Sequence, residues 1–108
     1  MGRYFGMRNV GSSEFVLYDR KLDKSRRIDP LFPGIDILSL AFVHDLLWIG
    51  GRGFLAVVDF SENKVLDQLS GRDAEFYAML PDNQGGIWVS QGYKLYHLGY
   101  GSNGFEKR

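Results

Sequence analysis

The chain has no cysteine, three prolines and two histidines in 108 residues. Without cysteine there is no disulfide framework, no thiolate metal site and no cysteine nucleophile, whatever the compartment. Charge of one sign is missing too, because 13 Lys and Arg stand against 13 Asp and Glu. No global field therefore draws the chain to nucleic acid or to an anionic membrane. No apolar run approaches the roughly 18 residues that a membrane span needs. The opening "MGRYFGMRNV" has no apolar core, so no secretory signal peptide is read there and the compartment stays open. Helical stripes are absent as well. "AEFYAML" comes closest, and Pro81 ends it. Length fits one domain, 1–108, with a small core.

What is present is glycine and aromatic residues: 14 Gly, 8 Phe, 6 Tyr and 2 Trp. Such a mixture suits strands joined by tight turns. The stretches "DLLWIGGRGFLAVVD" (45–59) and "GGIWVSQGYKLYHL" (85–98) place Trp48 and Trp88 40 residues apart. The same offset relates Leu47 to Ile87, Ile49 to Val89, Leu40 to Leu80 and Leu55 to Leu95. It also relates Phe15 to Leu55, Tyr18 to Val58, Asp19 to Asp59, Lys24 to Lys64 and Gly11 to Gly51. Arg8 stands where a third tryptophan would. A period of about 40 with short strands is the range of a propeller, one four-stranded sheet per blade.

Within each copy, 36–43 and 75–80 read as first strands, 46–50 and 86–90 as second, and 54–60 and 93–98 as third. Residues 64–69 and the terminal "GFEKR" read as the outer, more polar strands. The partial first copy supplies 7–10, 14–19 and roughly 25–28. "GGRG" (50–53) reads as a hairpin turn, "SEN" (61–63) as the connection from the third strand to the fourth, "PDNQGG" (81–86) as a polar loop and "DPLFPG" (29–34) as a linker. The fold expectation is all-β, with antiparallel four-stranded propeller-type blades: 1–30 partial, 36–70 and 75–108. At least eight strands and no helix beyond two turns follow. Trp48 and Trp88 are expected as equivalent core residues.

"ILSLAFVHDLLWIGGRGFLAVVD" and "FYAMLPDNQGGIWVSQGYKLYHL" resemble two-component-regulator propeller repeats, over residues 36–98. The second is closer, with "PDNQGGIWV" as the turn before the tryptophan. In the first, His44 and Asp45 replace the glycine pair. The resemblance implies a ligand-sensing domain of signalling proteins, with no catalytic motif to carry over. A closed propeller takes about four to eight blades, and this chain holds fewer than three. An incomplete propeller, completed by other copies or by the remainder of a larger chain, is the expectation. Its open sheet edges and uncovered faces favour a homo-oligomer. The segment 1–10 is the candidate for exchange between copies.

Chemistry is sparse. His44 beside Asp45 could serve as a base and its orienter, but reads first as a turn residue. His97 lies in an alternating strand, and its offset from His44 does not match the repeat. "DNQGG" lacks the acidic spacing and distant Glu of a calcium loop. "GGRG" is followed by no helix, so it makes no phosphate cradle. Ser12, Ser13, Ser90 and Ser102 have no nucleophile elbow around them. The charge run "DRKLDKSRRIDP" (19–30) mixes both signs and reads as a solvated hairpin. Tyr93, Tyr96 and Tyr100 are expected to be exposed and, with His97, to form a binding surface for a small molecule or glycan. No metal, cofactor or nucleic-acid partner and no membrane insertion is expected. The functional expectation is a non-catalytic binding or sensing module. A purely structural self-assembling protein and a propeller-lyase-like enzyme with His44 or His97 as base are the alternatives.

Overall fold

The computed structural model describes residues 4–8, 14–34 and 36–108. Gly11, Ser12, Ser13 and part of the expected strand 7–10 lie outside these. The chain divides into two compact units, Met1–Ile37 and Leu38–Arg108. Its sheets are antiparallel, and one is a curled half-barrel. Among the described residues the only helix is a single 3-10 turn, Asp29–Leu31. The all-β expectation therefore holds, with nine strands described.

The first unit is a three-stranded meander of β1 (Tyr4–Arg8), β2 (Phe15–Asp19) and β3 (Lys24–Arg27). Alternation in β2 buries Phe15, Leu17 and Asp19 on one face. Asp19 tolerates burial because its Oδ1 accepts the N–H groups of Lys21 and Leu22, shaping the next turn. Asp29 ties the end of the unit. Its Oδ1 accepts the Phe15 N–H at 3.0 Å, and Arg27 Nη2 donates to its Oδ2 at 2.6 Å. The guanidinium and the Phe15 N–H hold this carboxyl below the usual aspartate value.

The second unit contains six strands in strictly sequential order, the first of them beginning at the boundary residue Ile37: β4 (Ile37–Val43), β5 (Leu46–Asp59), β6 (Lys64–Pro81), β7 (Gly86–Gln91), β8 (Lys94–Gly101) and β9 (Gly104–Lys107). Most fall where the apolar runs predict. Two boundaries do not. "GGRG" is no hairpin turn: β5 runs through it for 14 residues. Likewise the predicted strands 64–69 and 75–80 are one strand of 18 residues, β6. The first part of β6 pairs with β5 and its last part with β7, which lets the sheet curl.

Two details make the long strands work. At Gly53 (φ 85) the β5–β6 register shifts by a bulge. The bulge changes which residues face inward, so even-numbered Trp48 and odd-numbered Leu55 and Val57 share one core. At Gly50 a side chain would strike Ser39 Oγ (2.6 Å), Met79 Cε (2.7 Å) and Phe76 Cβ (2.9 Å). A bare backbone there lets Ser39 Oγ donate to the Phe76 carbonyl at 2.9 Å. The core comprises Ala41, Val43, Trp48, Leu55, Val57, Phe76, Ile87, Val89 and Leu98, with Tyr96, Tyr100 and Phe105 packed at its margin. Trp48 meets Phe105 of β9 edge to face at 5.6 Å.

Trp88 departs from expectation. It is 39% exposed, whereas Trp48 is fully buried. The β7 pattern turns Ile87 and Val89 inward, so Trp88, between them, faces out.

Candidate functional site

The loop between β6 and β7 is built by one aspartate. Asp82 Oδ1 accepts the N–H groups of Gln84 (2.7 Å) and Gly86 (2.9 Å), and the Asp82 N–H donates to the Gly86 carbonyl (3.0 Å). Asn83 (φ 66) and Gly85 (φ 87) take left-handed backbone to close this turn. The other oxygen, Oδ2, accepts a hydrogen bond from His97 Nε2 at 2.6 Å. A carboxylate only accepts, so Nε2 carries the hydrogen; among the described residues no group takes Nδ1. The His97 hydrogen bond, then the Gln84 amide, hold the Asp82 carboxyl at about 2. Its side chain is 4% exposed and that of His97 24%.

His97 is held on its other side by an aromatic ring. β7 and β8 place Trp88 directly opposite His97, and the rings stack at 4.0 Å and 13°. Carboxylate fixes imidazole, and imidazole fixes indole. Leu80 lies across from Trp88 on β6, and the next row along this outer face runs Ala78, Ser90, Leu95. Leu80 and Leu95 are exposed.

At the loop end of this face, Gly86 and Gly99 oppose one another and leave a slot. The Arg108 side chain occupies it, so that a side chain at Gly99 would collide with the guanidinium. Arg108 Nη1 donates to the Gln84 carbonyl at 3.0 Å, and its main-chain N–H to the His97 carbonyl at 2.8 Å. His44, in the exposed turn between β4 and β5, approaches the same loop. Its Nε2 lies 3.6 Å from where a Gly85 Cβ would stand. The two histidines, mismatched in the repeat, thus reach one loop.

Of the expected surface, Tyr93 is fully exposed in the β7–β8 turn. Tyr96 and Tyr100 are not exposed: they pack on the core, Tyr100 edge to face with Phe105 at 5.4 Å. They alternate with His97 and so face away from it. The structure brings together instead Asp82, Trp88, His97 and Arg108. Asp82 and Arg108 were missed as site residues, and Trp88, which could in principle stack on a sugar or a base, was read first as core. The signal for Trp88 lay in the Gly92–Tyr93 turn: counting back from Gln91↔Lys94 puts Trp88 opposite His97. Among the described residues no three metal-ligating side chains cluster, and no helix is long and apolar enough to cross a membrane.

No protein-family model matches the chain, and no curated protein does.

Proposed function

We propose that the chain is a non-catalytic binding or sensing module, and that a small ring-shaped ligand, a glycan being the best fit, docks on the outer face of β6–β8. One observation carries this reading: Trp88 is an exposed indole whose orientation is fixed from behind by the Asp82–His97 pair. A large aromatic left half in water loses hydrophobic free energy unless something covers it. A rigid aromatic platform bordered by a few fixed polar groups is the chemistry that grips the apolar face of a sugar ring while its rim offers hydrogen bonds. The propeller-repeat likeness supports the same class. A panel of methyl glycosides and short oligosaccharides, titrated by NMR, tests it. Binding should move the Trp88 indole resonance, and Trp88→Ala should abolish it. If no member of the panel moves that resonance, the reading fails.

Exposed Leu80 and Leu95 on the same face make a second copy of the chain the natural competitor for it. Light scattering at about 100 µM separates self-association from ligand capture. The propeller-lyase-like alternative draws on the same Asp82–His97 pair, since an oriented imidazole with an open Nδ1 can act as a base. It predicts that a captured ligand is turned over and that His97→Gln stops turnover but not capture.

A further inference from the structure

We infer that the ligand of this face is acidic, and that His44 and Arg108 form an anion subsite beside Gly85. The inference rests on the proposed function for the ligand's ring, but its own observations are separate. Gly85 carries no side chain, and a Cβ built there would stand in ordinary contact with two others, 3.6 Å from His44 Nε2 and 4.0 Å from Arg108 Nη1. The nearest other neighbour in that direction is His44 Cδ2. Two side-chain nitrogens, one from the β4–β5 turn and one from Arg108, therefore border the same point beside Gly85.

The acids close by are already committed. Asp82 spends Oδ1 on two main-chain N–H groups and Oδ2 on His97. Glu106 is directed at Gly101. Asp45 adjoins His44 in the turn, and it is exposed without an ion pair to either base among the described residues. Arg108 has no carboxylate partner among the described residues; Nη1 is held by the Gln84 carbonyl, which fixes the guanidinium without neutralising it. A fixed, unneutralised guanidinium beside a second donor suits a carboxylate, which accepts hydrogen bonds on both oxygens. Arg108 also touches the Gly86–Gly99 slot next to His97, so the subsite adjoins the platform.

The test compares methyl glucuronide with methyl glucoside, which share a ring and differ by the carboxylate, and adds acetate as the bare anion against sodium chloride at equal ionic strength. The readouts are the Trp88 indole and Gly85 amide resonances. The expected result is that glucuronide binds about fivefold tighter than glucoside, the scale of one exposed charge pair. Acetate should move Gly85 and not Trp88. His44→Gly, keeping the left-handed turn, should remove the glucuronide advantage and leave glucoside binding unchanged, and Arg108→Gln should remove the glucuronide advantage as well. Equal binding of the two sugars, with Gly85 no more sensitive to acetate than to chloride, overturns the anion subsite and leaves the platform standing. Acetate moving Gly85 while neither sugar moves Trp88 upholds the subsite and overturns the sugar platform. No shift from any probe overturns both.

Discussion

Leu47–Trp48–Ile49 and Ile87–Trp88–Val89 are nearly the same sentence written 40 residues apart, and the fold reads them in opposite senses. β5 is buried on both faces, so Trp48 and its two neighbours are all covered. β7 has one buried face, which takes the branched pair and leaves the indole outside. Local sequence decides that each triplet is a strand. Which face of a strand goes inward is decided by what lies above and below it. The same contrast explains the site: only a tryptophan turned outward can stack on His97 and stay open to a ligand.

The largest break in the comparison comes from truncation. Trp48→Ala should cost about 3–5 kcal/mol of stability, because it opens a cavity in the core. Trp88→Ala should cost about 1 kcal/mol, the scale of one aromatic stack. Chemical denaturation of both variants measures the difference, and equal losses would sink the assignment of opposite faces. Next comes the position two residues on. Gly50→Ala should cost about 1–3 kcal/mol through overpacking against Ser39, Phe76 and Met79. Its repeat partner, Ser90→Ala, should stay within about 0.5 kcal/mol.

Much of the fold was legible in sequence for a plain reason. Short branched and aromatic runs bounded by Gly, Asp and Asn can do little but form strands. The repeat was also real at its turns. Asp19 and Asp59 each accept main-chain N–H groups just beyond them, and Asp23 (φ 52) and Asn63 (φ 54) take the same left-handed backbone. Phase was not legible. A glycine run such as "GGRG" is equally a turn or a bulged strand, and only the pairing of β5 with β6 chooses. The site was half legible. His97 was singled out, but its partner Asp82 lies 15 residues away, and "PDNQGG" shows a turn without showing where the spare carboxylate oxygen points.

Two smaller effects sharpen the contrast. The Trp48 indole N–H is buried with no hydrogen-bond partner among the described residues. Trp48→Phe removes that orphan donor while keeping an aromatic against Phe105. It should therefore cost under about 1.5 kcal/mol by thermal unfolding, far less than Trp48→Ala. The last effect appears only in acid. A carboxyl held at about 2 in the folded chain, against an ordinary 3.8, stabilises the fold fully above the ordinary value. That stability is lost as pH falls from about 4 to about 2. Asp29 and Asp59 are lowered too and lose stability in the same direction. Acid titration of Asp82→Asn should show a shallower loss across this window than the parent chain. An unchanged slope would mean that the His97 bond does not hold Asp82 in solution.

The strictly sequential order of β4 to β9 has a kinetic consequence. Every pairing in the second unit closes a connection of two to four residues, the least entropic closure that a sheet can ask for. Neighbouring hairpins can therefore form early and in any order. The contact between Trp48 on β5 and Phe105 on β9 is different, because it joins residues far apart in the chain and cannot form until the intervening strands have curled. Phe105 should make its native contacts after the transition state for folding, so that its truncation speeds unfolding and leaves the folding rate nearly unchanged. The curl is thus latched by its last strand, and the lifetime of the folded unit is set at the end of the chain that also carries Arg108.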